Sequence, residues 1–172
     1  MGKVLLTGFD NSVTSTVDSF IANLPEMLGS MAVDPRRLVA VAEFDDERYV
    51  QFWVEPEDLV IAEVISNLNI KGARALTEHD EQCLRSMGWS EPVPGPNPNW
   101  RFESRDVVGL LTLVEMTRRA VFEVLGERRN GRVTLRTWAM ERDADNQLRA
   151  VREVARVHYQ SALRELRGQL DG

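Results

Sequence analysis

The stretch LVAVAEFDDERYVQFWVEPEDLVIAEVIS, residues 38–66, decides the fold. It holds three strand-like runs, Leu38–Phe44, Tyr49–Val54 and Leu59–Ser66, separated by Asp45-Asp46-Glu47 and by Glu55-Pro56-Glu57-Asp58. Connections this short join neighbouring strands antiparallel, whereas a parallel pair needs a crossover of a dozen residues or more, so the stretch predicts a meander. Side chains alternate along a strand, which puts Val50, Phe52 and Val54 of the middle run on one side and Tyr49 and Trp53 on the other. Both sides are apolar, and a sheet with one wet face alternates more cleanly than this. The second face is therefore expected to be covered, by a helix, a twin subunit or a bound chain.

Upstream, Asp10, Asn11 or Ser12 is expected to cap a helix whose Val13, Val17, Phe20, Ile21, Leu24 and Leu28 follow the helical period, with Pro25 kinking or shortening it and Gly29 stopping it. Residues 1–10 read as an arm or edge strand. Downstream, Thr77 followed by Glu78, Asp80 and Glu81 predicts a capped short helix that Gly88 closes. Pro92, Pro94, Pro96 and Pro98 make residues 84–104 a stiff crossover. Ser104 is expected to cap a helix to about Gly126, with Val107, Leu110, Leu111, Val114, Val121, Phe122 and Leu125 in its apolar stripe. Arg132–Met140 reads as a fourth strand, with Val133, Leu135 and Ala139 on one face and Trp138 on the other. A final helix over 141–170 would carry Leu148, Val151, Ala155, His158, Ala162 and Leu166 on a seam flanked by arginines. The whole is one α+β domain over 11–172, an antiparallel sheet packed with helices.

At 172 residues the chain is long enough to bury a sizeable core, and its 43% hydrophobic and 28% charged content is ordinary for a folded domain. No apolar run reaches the roughly 20 residues that span a bilayer, and the opening MGKVLLTGFD lacks a signal peptide's pattern, so a cytoplasmic protein without a membrane partner is expected. The single cysteine, Cys83, forbids an internal disulfide. The net charge of −6 argues against nucleic-acid binding. It is unevenly spread, with 8 Lys+Arg against 17 Asp+Glu in residues 1–103 and 13 against 10 in residues 104–172. The two halves can attract each other, within one chain or between two.

Chemistry is sparse. His79 and Cys83 share a helical face, but a zinc site needs two more ligands and His158 is the only other imidazole, so no metal or cofactor is expected. The paired acids fall at turns, where they are simply solvated, and no nucleophile elbow, phosphate loop or dinucleotide glycine pattern occurs. The opening KVLLTGFD resembles the first strand and turn of the pyroglutamyl peptidase family of cysteine hydrolases, which makes a small hydrolase using Cys83 the alternative reading; DEQCLRS around Cys83 matches none of that family's motifs. Tryptophan is the better clue. Tyr49, Trp53 and Trp138 fall on strand faces, where aromatic side chains anchor partners as well as cores, and they are the candidate contacts for a client.

AEVISN (Ala62–Asn67), a capped helix ending LRSMGW (Leu84–Trp89), then Pro92 and NPNW (Asn97–Trp100) together resemble the actinobacterial group of type III secretion chaperone-like and YbjN-type domains called TY-Chap domains. The resemblance covers about residues 11–125. It implies a type III secretion chaperone-like α+β fold, a homodimer and an extended segment of a client protein as partner, and no catalytic residues. A non-enzymatic peptide- or protein-binding chaperone, of the secretion type, is the reading it favours; a structural or regulatory dimerisation module is a further alternative. Secretion chaperones carry further strands before the last helix, where this sequence offers only Arg132–Met140.

Overall fold

A computed structural model describes residues 12–33, 37–55, 59–96, 98–142 and 148–151. Among them, seven strands form one antiparallel sheet in the order β1-β6-β2-β3-β4-β5, with β7 also paired to β6. The meander is there: β2 (Arg37–Phe44), β3 (Tyr49–Glu55) and β4 (Leu59–Val64) lie side by side, with Ala40, Phe52 and Ala62 in one cross-strand row. The α+β class and antiparallel sheet expected from the sequence are those of the structure.

The first helix starts later than its capping residues suggested. Ser12–Thr16 is a strand, β1, pairing Ser12–Thr16 against Arg136–Arg132 of β6, because the Val and Thr residues of SVTST suit a pleated edge. Helix α1 then spans Val17–Val33, and the true cap is Thr16, whose hydroxyl accepts from Ser19 N at 3.2 Å. Gly29 does not stop it, since Met31 continues the buried seam of Val17, Phe20, Leu24, Met27 and Leu28. Pro25 sits inside the helix on its exposed side, where the missing donor is least costly. Residues 1–11 lie outside the described residues, and with them the expected arm.

Thr77 caps α2 (Glu78–Ser86) by a reciprocal box: its hydroxyl accepts from Asp80 N at 3.2 Å while its backbone N–H donates to Asp80 Oδ2 at 2.8 Å. Gly88 closes the helix at φ +92°. The crossover is shorter than 84–104, because Trp100–Ser104 is β5, paired to β4 from Val64↔Trp100 to Val60↔Ser104. Alternating Trp100, Phe102 and Ser104 fit the helix-covered face, and Arg101 and Glu103 point the other way.

Asp106, not Ser104, caps α3 (Val107–Arg119), accepting from Gly109 N at 2.6 Å. A π turn over Ala120–Val124 follows, closed by Leu125 N donating to Ala120 O at 2.9 Å. The buried residues are Leu113, Thr117, Ala120, Val121, Val124 and Leu125, whereas Val107 and Leu111 of the expected stripe are 75% and 60% exposed. The first turns carry apolar residues on two sides, and only the side bearing Leu110, Leu113 and Val114 reaches the sheet and α1.

The fourth strand is β6 (Arg132–Arg142), central in the sheet, with β2 along one edge and both β1 and β7 along the other. The final helix does not begin at 141. β7 (Leu148–Val151) is a strand, running from Arg142↔Leu148 to Ala139↔Val151. It takes up ladder groups of β6 that β1 does not reach, and that pairing outweighs local helix preference. Residues 152–170 of the expected helix lie outside the described residues. Helices α1, α2 and α3 share one core with Val50, Phe52, Val54, Val133 and Leu135, so the helices are on one face of the sheet.

Candidate functional site

The opposite face is built by register. Along β3 the burial alternates strictly, with Val50, Phe52 and Val54 under the helices and Tyr49, Gln51, Trp53 and Glu55 half-buried on the second face. Trp53 pairs with Val39 of β2 on one side and Ile61 of β4 on the other, and Val39 pairs in turn with Trp138 of β6. Trp138, Val39, Trp53 and Ile61 therefore form one apolar row across four strands. Trp138 and Ile61 at its ends are 4% and 0% exposed, while Val39 and Trp53 between them are half-buried. The Trp53 indole is held in place: its Nε1 donates to Glu55 Oε1 at 3.1 Å, and the Arg101 guanidinium lies 5.6 Å from its ring. Arg101 Nε in turn donates to Glu103 Oε1 at 2.7 Å.

Of the residues singled out in the sequence, Trp53 and Trp138 are thus brought into one row. Tyr49 shares their face but sits in a different environment. Its hydroxyl accepts from Asn99 Nδ2 at 3.2 Å, and burial pushes its pKa up. Trp138 is buried, so it offers the row little open surface.

The adjoining row, Arg136, Val41, Gln51, Glu63 and Arg101, holds what the sequence reading missed. Glu63 is 2% exposed, and its Oε2 accepts from Gln51 Nε2 at 2.6 Å and from Asn99 Nδ2 at 3.0 Å. Asn69 Nδ2 completes the chain, donating to Asn99 Oδ1 at 2.7 Å. Burial raises the Glu63 pKa, and the bonds from Asn99 and Gln51 and the charge of Arg101 only partly oppose it. The signal was available: Glu63 lies in AEVISN and Asn99 in NPNW, the two motifs that carried the family resemblance. Ser66 Oγ also donates to Pro98 O, so the end of AEVISN is clasped to NPNW twice over. Those motifs build the sheet's polar flank.

The edge beyond β5 is closed to strand addition at Arg101, because Ser90 N donates to Arg101 O at 2.8 Å and Arg101 N to Ser90 O at 3.1 Å. Cys83 Sγ lies 3.6 Å from His79 Nε2 on α2, the ordinary reach of an i, i+4 pair, on the helix-covered side of the sheet. Among the described residues no three His, Cys, Asp or Glu side chains gather to hold a metal ion, and no helix is long and apolar enough to cross a membrane.

A family model described as T3SS (YopN, CesT) and YbjN peptide-binding chaperone 3, TY-Chap3, matches residues 10–167. No curated protein and no solved structure matches the chain.

Proposed function

Because the chain belongs to the TY-Chap3 family of peptide-binding chaperone-like proteins, we propose that it holds an apolar segment of a client protein along the Trp138, Val39, Trp53 and Ile61 row. The observation that carries this is the register itself, which sets half-buried Val39 and Trp53 side by side, next to buried Trp138, on the face opposite the helices. Burying a large apolar side chain is worth about 1.5–3 kcal/mol, so a client offering two or three such residues to this row gains enough to be held without any covalent chemistry. Lying across the face is favoured over joining the β5 edge, where Ser90 already occupies the Arg101 backbone groups.

On this reading the protein is a non-enzymatic, cytoplasmic chaperone of the secretion type that works as a homodimer. The family description supports the chaperone part, and the exposed Val107, Val108 and Leu111 at the start of α3 are apolar surface that one chain leaves open to a twin. The test is titration of the fluorescent apolar probe 1-anilinonaphthalene-8-sulfonate, followed by an array of apolar peptides, against the native chain and Trp53→Ala. Loss of binding in a folded Trp53→Ala protein supports the site, and undiminished binding rejects it. Light scattering at several concentrations decides the dimer, with a mass of one chain throughout as the result that rejects it.

A further inference from the structure

We infer that the Trp53 ring is a guanidinium site, held in the free protein by Arg101 and taken over by an arginine of the client; as a statement about clients this rests on the function proposed above. Trp53 of β3 pairs with Ile61 of β4, and Ile61 pairs with Glu103 of β5. The alternation that puts Glu103 on this face puts Arg101 there as well, one step earlier on the same side of the strand. From that position the Arg101 guanidinium lies over the Trp53 ring, 5.6 Å from its centroid and within reach of a cation–π contact. Its Nε donates at the same time to Glu103 Oε1 at 2.7 Å. The indole is steadied by its own Nε1, which donates to Glu55 Oε1 at 3.1 Å. A place between an aromatic face and a carboxylate suits a flat, forked guanidinium better than a compact ammonium. The chain's own arginine thus shows which chemistry the place accepts.

Three features make the place exchangeable. The Arg101 and Glu103 side chains keep 39% and 45% exposure, so the contact lies at the surface, where such pairs are weak and one guanidinium replaces another at little cost. The Arg101 backbone is fixed by its two bonds to Ser90, so the side chain can turn without disturbing β5. It also has somewhere to go. Glu63 lies directly across the ladder from Arg101, and the Arg101 charge already acts on its carboxyl group. One guanidinium therefore stands between two carboxylates. A client arginine on Trp53 and Glu103 lets Arg101 turn to Glu63, and each acid then has a cation. Apolar client side chains seated beside Val39 hold that arginine near the ring, so it competes with Arg101 as a tethered group and not as a free one. Until then Arg101 covers part of the indole, which disfavours apolar segments that bring no cation.

The site is tested first without a client. The isotope-labelled full chain is titrated with argininamide and, at matched ionic strength, with norleucinamide, while NMR follows the indole N–H signal that Trp53→Phe removes. Argininamide is expected to move that signal and norleucinamide to leave it in place. Arg101→Gln frees the ring and should tighten argininamide binding about three-fold. A signal that argininamide does not move, in native protein and in an Arg101→Gln protein that circular dichroism shows to be folded, overturns the inference, and so does equal movement by both amides. Peptides then carry the test to clients. Two peptides identical except for arginine or glutamine beside a pair of leucines should differ about three-fold in affinity for the native chain. Trp53→Leu keeps apolar surface but no ring, and should erase the difference. If the two peptides bind the native chain equally, the row holds clients without reading a cation and this inference falls alone. If argininamide moves the Trp53 signal while neither peptide binds, the guanidinium site stands and the chaperone reading falls.

Discussion

Asn99 Nδ2 lies 3.0 Å from Glu63 Oε2, tying the residue just before β5 to the penultimate residue of β4 across 36 positions of sequence. The same nitrogen donates to the Tyr49 hydroxyl at 3.2 Å, so one carboxamide spans two strands. Truncating it in Asn99→Ala leaves a buried carboxyl group and a half-buried phenol short of a donor, which costs about 1–3 kcal/mol of stability by chemical denaturation. An Asn99→Ala protein as stable as the native one would show that water replaces the carboxamide freely.

The Glu63 carboxyl group makes stability depend on pH. Burial is the largest influence and raises its pKa in the folded state, so the native protein binds the proton more tightly than the unfolded chain does. The stabilisation is full below the unfolded pKa and is lost as pH rises through the raised native value. Glu63→Gln keeps an oxygen that can accept from both Gln51 and Asn99 but carries no charge. It should therefore melt higher than the native protein at about pH 8, with the gap closing toward about pH 4. A native protein that melts higher at the alkaline end would mean that the charged form is the favoured one.

Trp53 and Trp138 answer to different substitutions because one is half-buried and the other is 4% exposed. Trp53→Ala is expected to fold and to lose probe binding. Trp138→Ala removes a buried indole and should cost about 3–5 kcal/mol, enough to unfold a marginal domain, so the informative change there is Trp138→Phe. Thermal melts separate the two effects: if Trp53→Ala also melts far below the native protein, the indole is core and the row is no binding surface.

The meander, the Thr77 box and the Gly88 stop were legible because each is a local matter, fixed by alternation or by residues three or four apart. The partners of β6 were not. Val133, Leu135 and Trp138 show which way its side chains point, but nothing within Arg132–Met140 says that Leu38–Phe44 flanks one edge while SVTST takes part of the other. SVTST fits a helical period because Val13 and Val17 are four apart, and the period cannot tell a strand's residues from the first of a helix. Trp100–Ser104 alternates plainly, yet a proline-rich approach and a helix-capping serine hid it. Among the site residues, Trp53 and Trp138 stood out by type, whereas Glu63 looked like one more acid. Its burial depends on Asn99 and Gln51, which come from other strands and loops.

Two glycines should respond to alanine for different reasons. Gly88 has φ +92°, and an added Cβ would meet only Phe102 Cε2 at 3.6 Å, an ordinary contact. Gly88→Ala therefore bears the left-handed backbone penalty alone, about 1–2 kcal/mol. Gly109 lies in the first turn of α3, where alanine normally helps, but its Cβ would come within 2.7 Å of Ser104 Oγ and 3.2 Å of Asp106 Oδ1. Gly109→Ala should disturb the Asp106 cap and lower stability despite the better helix propensity. Denaturant midpoints of both variants check this, and a stabilised Gly109→Ala would show that Ser104 turns aside at little cost.

Asn67 closes a small loop with its side chain: Oδ1 accepts from Leu76 N at 2.7 Å, and Nδ2 donates to Leu76 O at 2.8 Å and to Glu81 Oε1 at 3.1 Å. Leu76 is buried, so its backbone groups have little recourse to water when the carboxamide goes. Asn67→Ala is expected to cost about 2–3 kcal/mol, and Asn67→Asp nearly as much, because the carboxylate cannot donate to Leu76 O and would face Glu81. Hydrogen exchange at the Leu76 amide is the direct reading. Fast exchange in Asn67→Ala is the expected result, and full protection would assign the loop's order to something other than this side chain.

Cys83 tests the non-enzymatic reading most cheaply. It is partly exposed, and His79 Nε2 is 3.6 Å from its sulfur, so the two residues that a thiol hydrolase would need are within reach of each other. A nucleophilic pair also needs its base held by a third group and donors aimed at the developing oxyanion. His79 is exposed on α2, and Cys83 lies on the helix side of the sheet, away from the tryptophan row. Iodoacetamide at neutral pH should therefore label Cys83 no faster than it labels a free cysteine, and His79→Ala should leave that rate within about two-fold. Labelling ten-fold faster than free cysteine, lost in His79→Ala, would mean an activated thiolate and would bring the hydrolase reading back.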